Sequence, residues 1–188
     1  MADMQTVIEL ASVQSTDAGM LALWDPQAFA GVMDFGSWES ELVEDEDVLR
    51  HVLAGALVPI NIRSDGAFGI LVRVGGSGAP AELTERESAC RLVSSQPYRF
   101  ASGGRACVSG IEDVCAEPDG DSLQVPVLQG EHVVTVHLIE WDAEPGARDG
   151  DGSPAAGALP DFVVLVNPLA VFDGSFRVAV ETFERPDQ

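Results

Sequence analysis

"LQVPVLQGEHVVTVHLIEW", residues 123–141, decides the fold class. Two runs of aliphatic and β-branched residues flank Gln129, Gly130 and Glu131, and the second run places Val133, Val134, Val136, Leu138 and Ile139 in quick succession. Side chains of this kind suit a pleated, half-buried strand better than a helix, and the glycine between the runs supplies a turn. The segment predicts a β-hairpin. Upstream, "TVIELASVQ" (6–14) alternates apolar and polar residues, and the turn "STDAG" separates it from "MLALWDP" (20–26), which predicts strand, turn, strand. "ALVPINI" (56–62), the turn "RSDG" and "AFGILVRV" (67–74) predict a further hairpin.

"PYRFAS" (97–102) and "RACVSGIEDV" (105–114) add strands, and "RESACRLVSS" (86–95) fits helix or strand. "DFVVLVNPL" (161–169) is a buried run and "FRVAVETFE" (176–184) an alternating closing strand. About eight short strands with turn punctuation predict a mainly β protein, an antiparallel β-sandwich or partly open barrel. The alternation of strands with long helices that a parallel α/β fold needs is missing. One short helix is expected in "EDEDVLRHVLA" (44–54). Its acids come first, Val48, Leu49, Val52 and Leu53 share a face, Arg50 and His51 lie towards its negative end, and Gly55 stops it. Residues 26–38 suit an irregular loop or a short helical turn, 75–82 a glycine-rich loop, and 143–160 a mobile surface loop. The 188 residues suit a single β-rich domain over 1–188.

Charge is the strongest compositional feature: 31 acids against 10 bases, all of them arginine, give a formal net charge of -21. Residues 1–49 hold eleven acids and no base, and residues 106–147 nine acids and no base. Between them, residues 63–105 hold six arginines and four acids. Such a balance disfavours nucleic acid, whose phosphates require cations to displace their counterions, and disfavours anionic membranes for the same reason. No apolar span is long enough for a transmembrane helix, and "MADMQTVIEL" has neither the basic nor the long apolar region of a secretory signal, so a cytoplasmic location is expected. Cys90, Cys107 and Cys115 show no close CxxC spacing and suit reduced, structural thiols.

The chain offers little catalytic chemistry. It has no G-x-S-x-G elbow and three histidines, of which His132 and His137 fall on opposite faces of one predicted strand, while His51 fits a helix end. Cys107 and Cys115 give two of the three or four ligands that zinc needs. "DGDGS" (149–153) and "DGDS" (119–122) begin like calcium loops, but position twelve is Pro160 or Gly130 where a bidentate glutamate belongs. No metal or cofactor is therefore expected.

In "LQVPVLQGEHVVTVHLIEW", the run of strand, Pro126, Gly130 and long strand resembles the late hairpin of competence-protein-J-type nuclease inhibitors, and the order "LVPINI", "AFGILVRV", further β segments and a closing apolar strand is similar too. The resemblance spans residues 56–170 and implies inhibition of a nuclease by a negative surface that occupies its phosphate-binding cleft. Acidic immunity proteins paired with toxins are the neighbouring implication.

"ESELVEDED" (39–47) packs six carboxylates into nine positions beside Trp38. The leading expectation is a non-enzymatic binding protein for a basic partner, contacting it through Trp38, Glu39, Glu41, Leu42, Glu44, Asp45, Glu46 and Asp47, with charge steering the encounter and an apolar anchor holding it. Two alternatives stand beside it: a small-molecule-binding sandwich or enzyme with an Asp/Arg/His-lined cleft, and an accessory domain whose charge serves solvation, genome composition or a salty cytoplasm.

Overall fold

Two bent, two-stranded ribbons carry most of the chain in the computed structural model, which describes residues 6–184. In the first, β1 (Ile8–Thr16) pairs antiparallel with β4 (Gly66–Val74), and β2 (Met20–Trp24) pairs antiparallel with β3 (Leu57–Asn61). The register runs from Ile8↔Val74 to Thr16↔Gly66, breaks, and resumes from Met20↔Asn61 to Trp24↔Leu57. Both strands turn one corner together and pass from a first sheet into a second. At that corner the Gly19 carbonyl accepts the N–H groups of Ile62 (2.9 Å) and Arg63 (2.8 Å). Gly19 has φ 71 and lies so close to Arg63 that an added Cβ would meet its Cα at 3.2 Å, so only glycine suits the position.

The second ribbon repeats the device. β6 (Tyr98–Ser102) pairs with β9 (Gly130–Ile139), and β7 (Ala106–Gly110) pairs with β8 (Leu123–Val125), with the corner between them. β10 (Phe162–Pro168) joins the ribbons, parallel to β4 on one side and antiparallel to β9 on the other. The first sheet thus runs β1-β4-β10-β9, with β5 (Arg91–Ser94) and β6 both on β9, and the second runs β3-β2-β7-β8. The architecture is mainly β, ten strands in one mixed and one antiparallel sheet, without closure into a barrel.

Strict alternation divides the first sheet's side chains. Ile70, Val72, Phe162, Val164, Val134 and Val136 face the second sheet and form the main core with Leu21, Leu23, Trp24 and Val108. Leu71, Val163, Leu165 and Ile139 face the other way, into a smaller cluster roofed by Ala81, Trp141, Ala147 and Leu159. β10 is buried on both faces, which explains its unbroken apolar run. Residues 143–160 contain no strand, yet Ala147 and Leu159 sit in that cluster, Arg86 holds Glu144 at 2.5 Å, and Arg148 pairs with Asp142.

Several expectations are corrected. The two expected hairpins, 56–74 and 123–141, are sheet-crossing corners, as is the strand–turn–strand segment 6–26: each turn falls where expected, but the strands it joins pair with others. The sheets are ten-stranded in total rather than about eight, and β10 breaks the purely antiparallel pattern. The expected strand at 176–184 makes one bridge, Asn61↔Thr182. Its backbone groups bond instead to Pro97 (Arg177 N–H, 2.7 Å), to Asn61 (Phe183 N–H, 2.9 Å) and to the Tyr98 hydroxyl, which donates to the Ala179 carbonyl at 3.0 Å. It crosses the ends of the two sheets, so no single strand lies alongside it.

Three short α-helices replace the expected one: α1 (Phe35–Leu42), α2 (Asp45–Ala54) and α3 (Glu85–Ala89). α2 follows its sequence pattern, with acids in the first turn, Val48 and Val52 buried, and Gly55 at φ 74 closing the C-terminus. The capping signatures of the others were legible. Asp34 with Ser37 and Thr84 with Glu87 each form a reciprocal capping box. Among the described residues, no helix is long and apolar enough to cross a membrane. The first five residues of "MADMQTVIEL", on which the absence of a secretory signal partly rests, lie outside the described residues.

Candidate protein-binding face

α1 is set by its cap. The Asp34 carboxylate accepts the Ser37 N–H at 2.8 Å, the Ser37 hydroxyl accepts the Asp34 N–H at 3.0 Å, and these bonds hold the Asp34 carboxyl below its ordinary pKa. The helix then turns Trp38 towards the second sheet, where its indole N–H donates to the Ile111 carbonyl at 2.9 Å. Phe35 stacks on that ring at 6.0 Å between centroids, and its other face is open. Phe35 is 72% exposed and Met33 81% exposed. With Val32, Trp38, Val114 and Cys115 they line a shallow groove of about 380 Å³, edged by the carboxylates of Asp34 and Glu112.

The expected partner-contacting residues separate into groups. Leu42 is buried at 3% and belongs to the core, and the exposed apolar side chains on this surface are Phe35 and Met33. Trp38 is half-buried and packed on the core. Glu41 is engaged by Arg50 and His51, both at 3.0 Å, and Asp47 by Arg50 at 2.6 Å. Glu39, Glu44, Asp45 and Glu46 are exposed and make no ion pair among the described residues.

Folding adds acids that are remote in sequence. Glu112, in the short 3-10 turn Ile111–Asp113, accepts the Thr16 hydroxyl at 3.0 Å and the Asp17 N–H at 2.6 Å. Desolvation, and then the like charge of Glu112, Asp119, Asp121 and Asp17, raises the pKa of the Asp113 carboxyl. The two acid-only stretches of the sequence therefore meet, one on each side of the Phe35 groove. Within "DGDS", Asp119 accepts the N–H groups of Asp121 (3.1 Å) and Ser122 (3.2 Å), an ordinary aspartate turn.

The other candidate chemistry stays apart. His132 and His137 lie on opposite faces of β9: the first contacts the Gly130 carbonyl at 3.1 Å, the second Ser94 at 2.7 Å and Thr135 at 3.1 Å. Burial lowers the pKa of both, that of His137 to about 4, so both are neutral at pH 7. Neither meets a carboxylate in these contacts. Cys107 donates to Gln124 and Cys115 to the Glu117 carbonyl, and no group of three or more His, Cys, Asp or Glu among the described residues could hold a metal ion.

Fold and face together define a two-sheet β protein with an acidic, apolar-centred surface. No protein-family model and no curated protein sequence matches the chain. Among solved structures, one described as "Crocagin biosynthetic gene J" is similar, with a TM-score of 0.55 and 18% identity over 87% of this chain and 97% of that one. ComJ from Bacillus subtilis, described as an inhibitor of the DNA degrading activity of NucA, matches with a TM-score of 0.49 and 10% identity over 87% of this chain and 98% of that one. ComJ, whose family the strand order of residues 56–170 resembles, is thus among the similar solved structures. At these identities the likeness describes the fold.

Proposed function

We propose that the protein is a non-enzymatic, acidic binding protein, an inhibitor or immunity-like partner of a basic protein such as a nuclease, acting in the cytoplasm. One observation carries the reading: carboxylates from the two separate acid-only stretches, Asp34 and Glu112, edge a groove whose exposed Phe35–Met33 patch the fold leaves uncovered. Glu39, Glu44, Asp45 and Glu46 steer a cationic partner, and Phe35 anchors it once water is excluded. Inhibition of a nuclease, as described for ComJ, is one form this takes. The negative face would compete with phosphate for the enzyme's basic cleft. Nucleic acid and anionic membranes are not partners on this reading, since the chain lacks the cations to bind them.

The test is affinity capture from the native lysate at low salt with elution by rising salt, run in parallel for the wild type and for a Glu39→Gln, Glu44→Gln, Asp45→Asn, Glu46→Gln variant. A basic protein retained by the wild type and released earlier from the variant is expected, and its activity should fall when the wild type is added back. Equal retention by both would reject the acidic face as the contact.

A further inference from the structure

β1 is an outer strand of the first sheet, paired only with β4. Which of its amides face outward follows from the opposite side of β4. The Gly69 N–H donates to Asp161 Oδ2 at 2.7 Å and the Gly75 N–H to the Val166 carbonyl at 2.8 Å, so odd-numbered residues of β4 and its continuation direct their backbone towards β10. In an antiparallel pair, residues that do not bond each other bond outward. Glu9, Ala11 and Val13, opposite Arg73, Leu71 and Gly69, therefore turn their amides to the open side. Asp17 continues that parity, and its N–H does point outward, to Glu112 at 2.6 Å. Among the described residues nothing pairs with the backbone N–H groups of Glu9, Ala11 and Val13. The edge has no proline, lysine or bulge to protect it.

A groove adjoins this edge. Ala11, Ala67 and Gly69 form a floor of small residues, and Ala155, Leu159 and Pro160 form the wall above β4, enclosing about 860 Å³. No wall rises on the β1 side among the described residues. At the inner end Arg73 is taken up by Glu9 (2.6 Å) and Glu87 (2.5 Å), and Arg86 by Glu144, so both cations are neutralised. Acids flank the edge at each end, at one Glu9, whose side chain stays 55% exposed beside Arg73, and at the other Asp17 with Glu112.

We infer that β1 is a docking edge for an extended segment of a basic protein partner, which adds as a strand beside Glu9–Val13 and sets alternate apolar side chains into the groove. This rests on the basic-partner reading above and names how that partner is held: backbone bonds supply affinity, the groove selects apolar side chains, and flanking acids select basic ones. A second copy of the chain is the poorer occupant, because each carries a net charge of -21.

The probe is a capped fluorescent peptide of alternating valine and arginine, titrated by anisotropy into the full chain. Ala11→Pro removes one outward N–H without taking a bond from β4, so the fold, followed by circular dichroism and thermal melting, is retained. Binding should weaken about tenfold. Ala67→Trp, which fills the groove and leaves the edge amides alone, should weaken it likewise, as should N-methylation of the peptide's alternate amides. Equal binding by wild type and both variants would overturn strand addition, as would no binding to the wild type, or self-association that Ala11→Pro abolishes. None of these outcomes touches the helix-face variant, whose retention of a captured partner tests the basic-partner reading separately.

Discussion

The Trp38 indole N–H donates to the Ile111 carbonyl across 2.9 Å, fastening α1 to the turn that carries Glu112 and Asp113. With the bonds from Thr16 and Asp17 to Glu112, it brings together two acid-rich regions more than seventy residues apart in the chain. It also fixes the ring on which Phe35 stacks, at 6.0 Å between centroids.

Phe35→Ala and Leu42→Ala should behave oppositely. Phe35 is 72% exposed, so its loss should change stability by less than about 0.5 kcal/mol while reducing partner retention in the capture assay by at least about tenfold. Leu42 is 3% exposed, and truncating it should cost about 2–5 kcal/mol in urea denaturation. If Phe35→Ala elutes at the wild-type salt concentration, Phe35 is no anchor.

Glu87→Ala should be costly. Its carboxylate receives Arg73 bidentately at 2.5 and 2.8 Å, and the two side chains are only 3% and 9% exposed. Removing it leaves Arg73 with the more exposed Glu9, at a loss of about 3 kcal/mol by denaturant melt. The double variant Arg73→Met, Glu87→Leu should recover most of that loss, because the cost lies in stranding one buried charge. A double variant as unstable as the single would refute this account.

Acid should destabilise the fold through His137. Burial first, and Arg91 second, push its imidazole down to about 4 from an ordinary 6.5. The unfolded chain therefore takes up a proton at higher pH than the folded one. Stability falls as pH drops from 6.5 towards 4, by about 3 kcal/mol for this group. His137→Gln removes the group, so urea melts across that range should show a shallower decline than wild type; parallel curves would assign the effect elsewhere.

Asp113 should act in the other direction. Its folded pKa is raised, so its charged form is disfavoured in the folded state above that pKa and the penalty disappears below the unfolded value of 3.8. Asp113→Asn should stabilise the protein at pH 7 and low salt by about 0.5 kcal/mol, a modest gain because solvent screens an exposed side chain. The gain should shrink in high salt; a salt-independent gain would point away from like-charge repulsion.

Much of the candidate site was legible in part. The acidic run 39–47 and its helix were visible because charge and apolar spacing are local properties, and Gly55 marked the stop. That Arg50 would occupy Glu41 and Asp47, leaving Glu39, Glu44, Asp45 and Glu46 for solvent, was not visible, since it depends on how α1 and α2 meet. Phe35 and Met33 were missed because nothing in the sequence distinguishes an uncovered aromatic from a buried one. The capping pair Asp34–Ser37, present in the sequence, was the signal that could have located α1 and so Phe35 at its start.

Residue alternation, turn composition and charge count are properties of neighbouring residues, and they determined by themselves that this chain is mainly β, strongly acidic and interrupted by turns at the positions observed. Pairing is a property of segments far apart. Whether Arg63–Asp65 closes a hairpin or bends a ribbon depends on which strand offers Leu57–Asn61 a partner, and Met20–Trp24 does so because their apolar faces complete the second sheet. The same tertiary choice decided that β10 would run parallel to β4, that β1 would keep an open edge, and that two distant acidic stretches would share one face, because burial of the core outweighs their mutual repulsion.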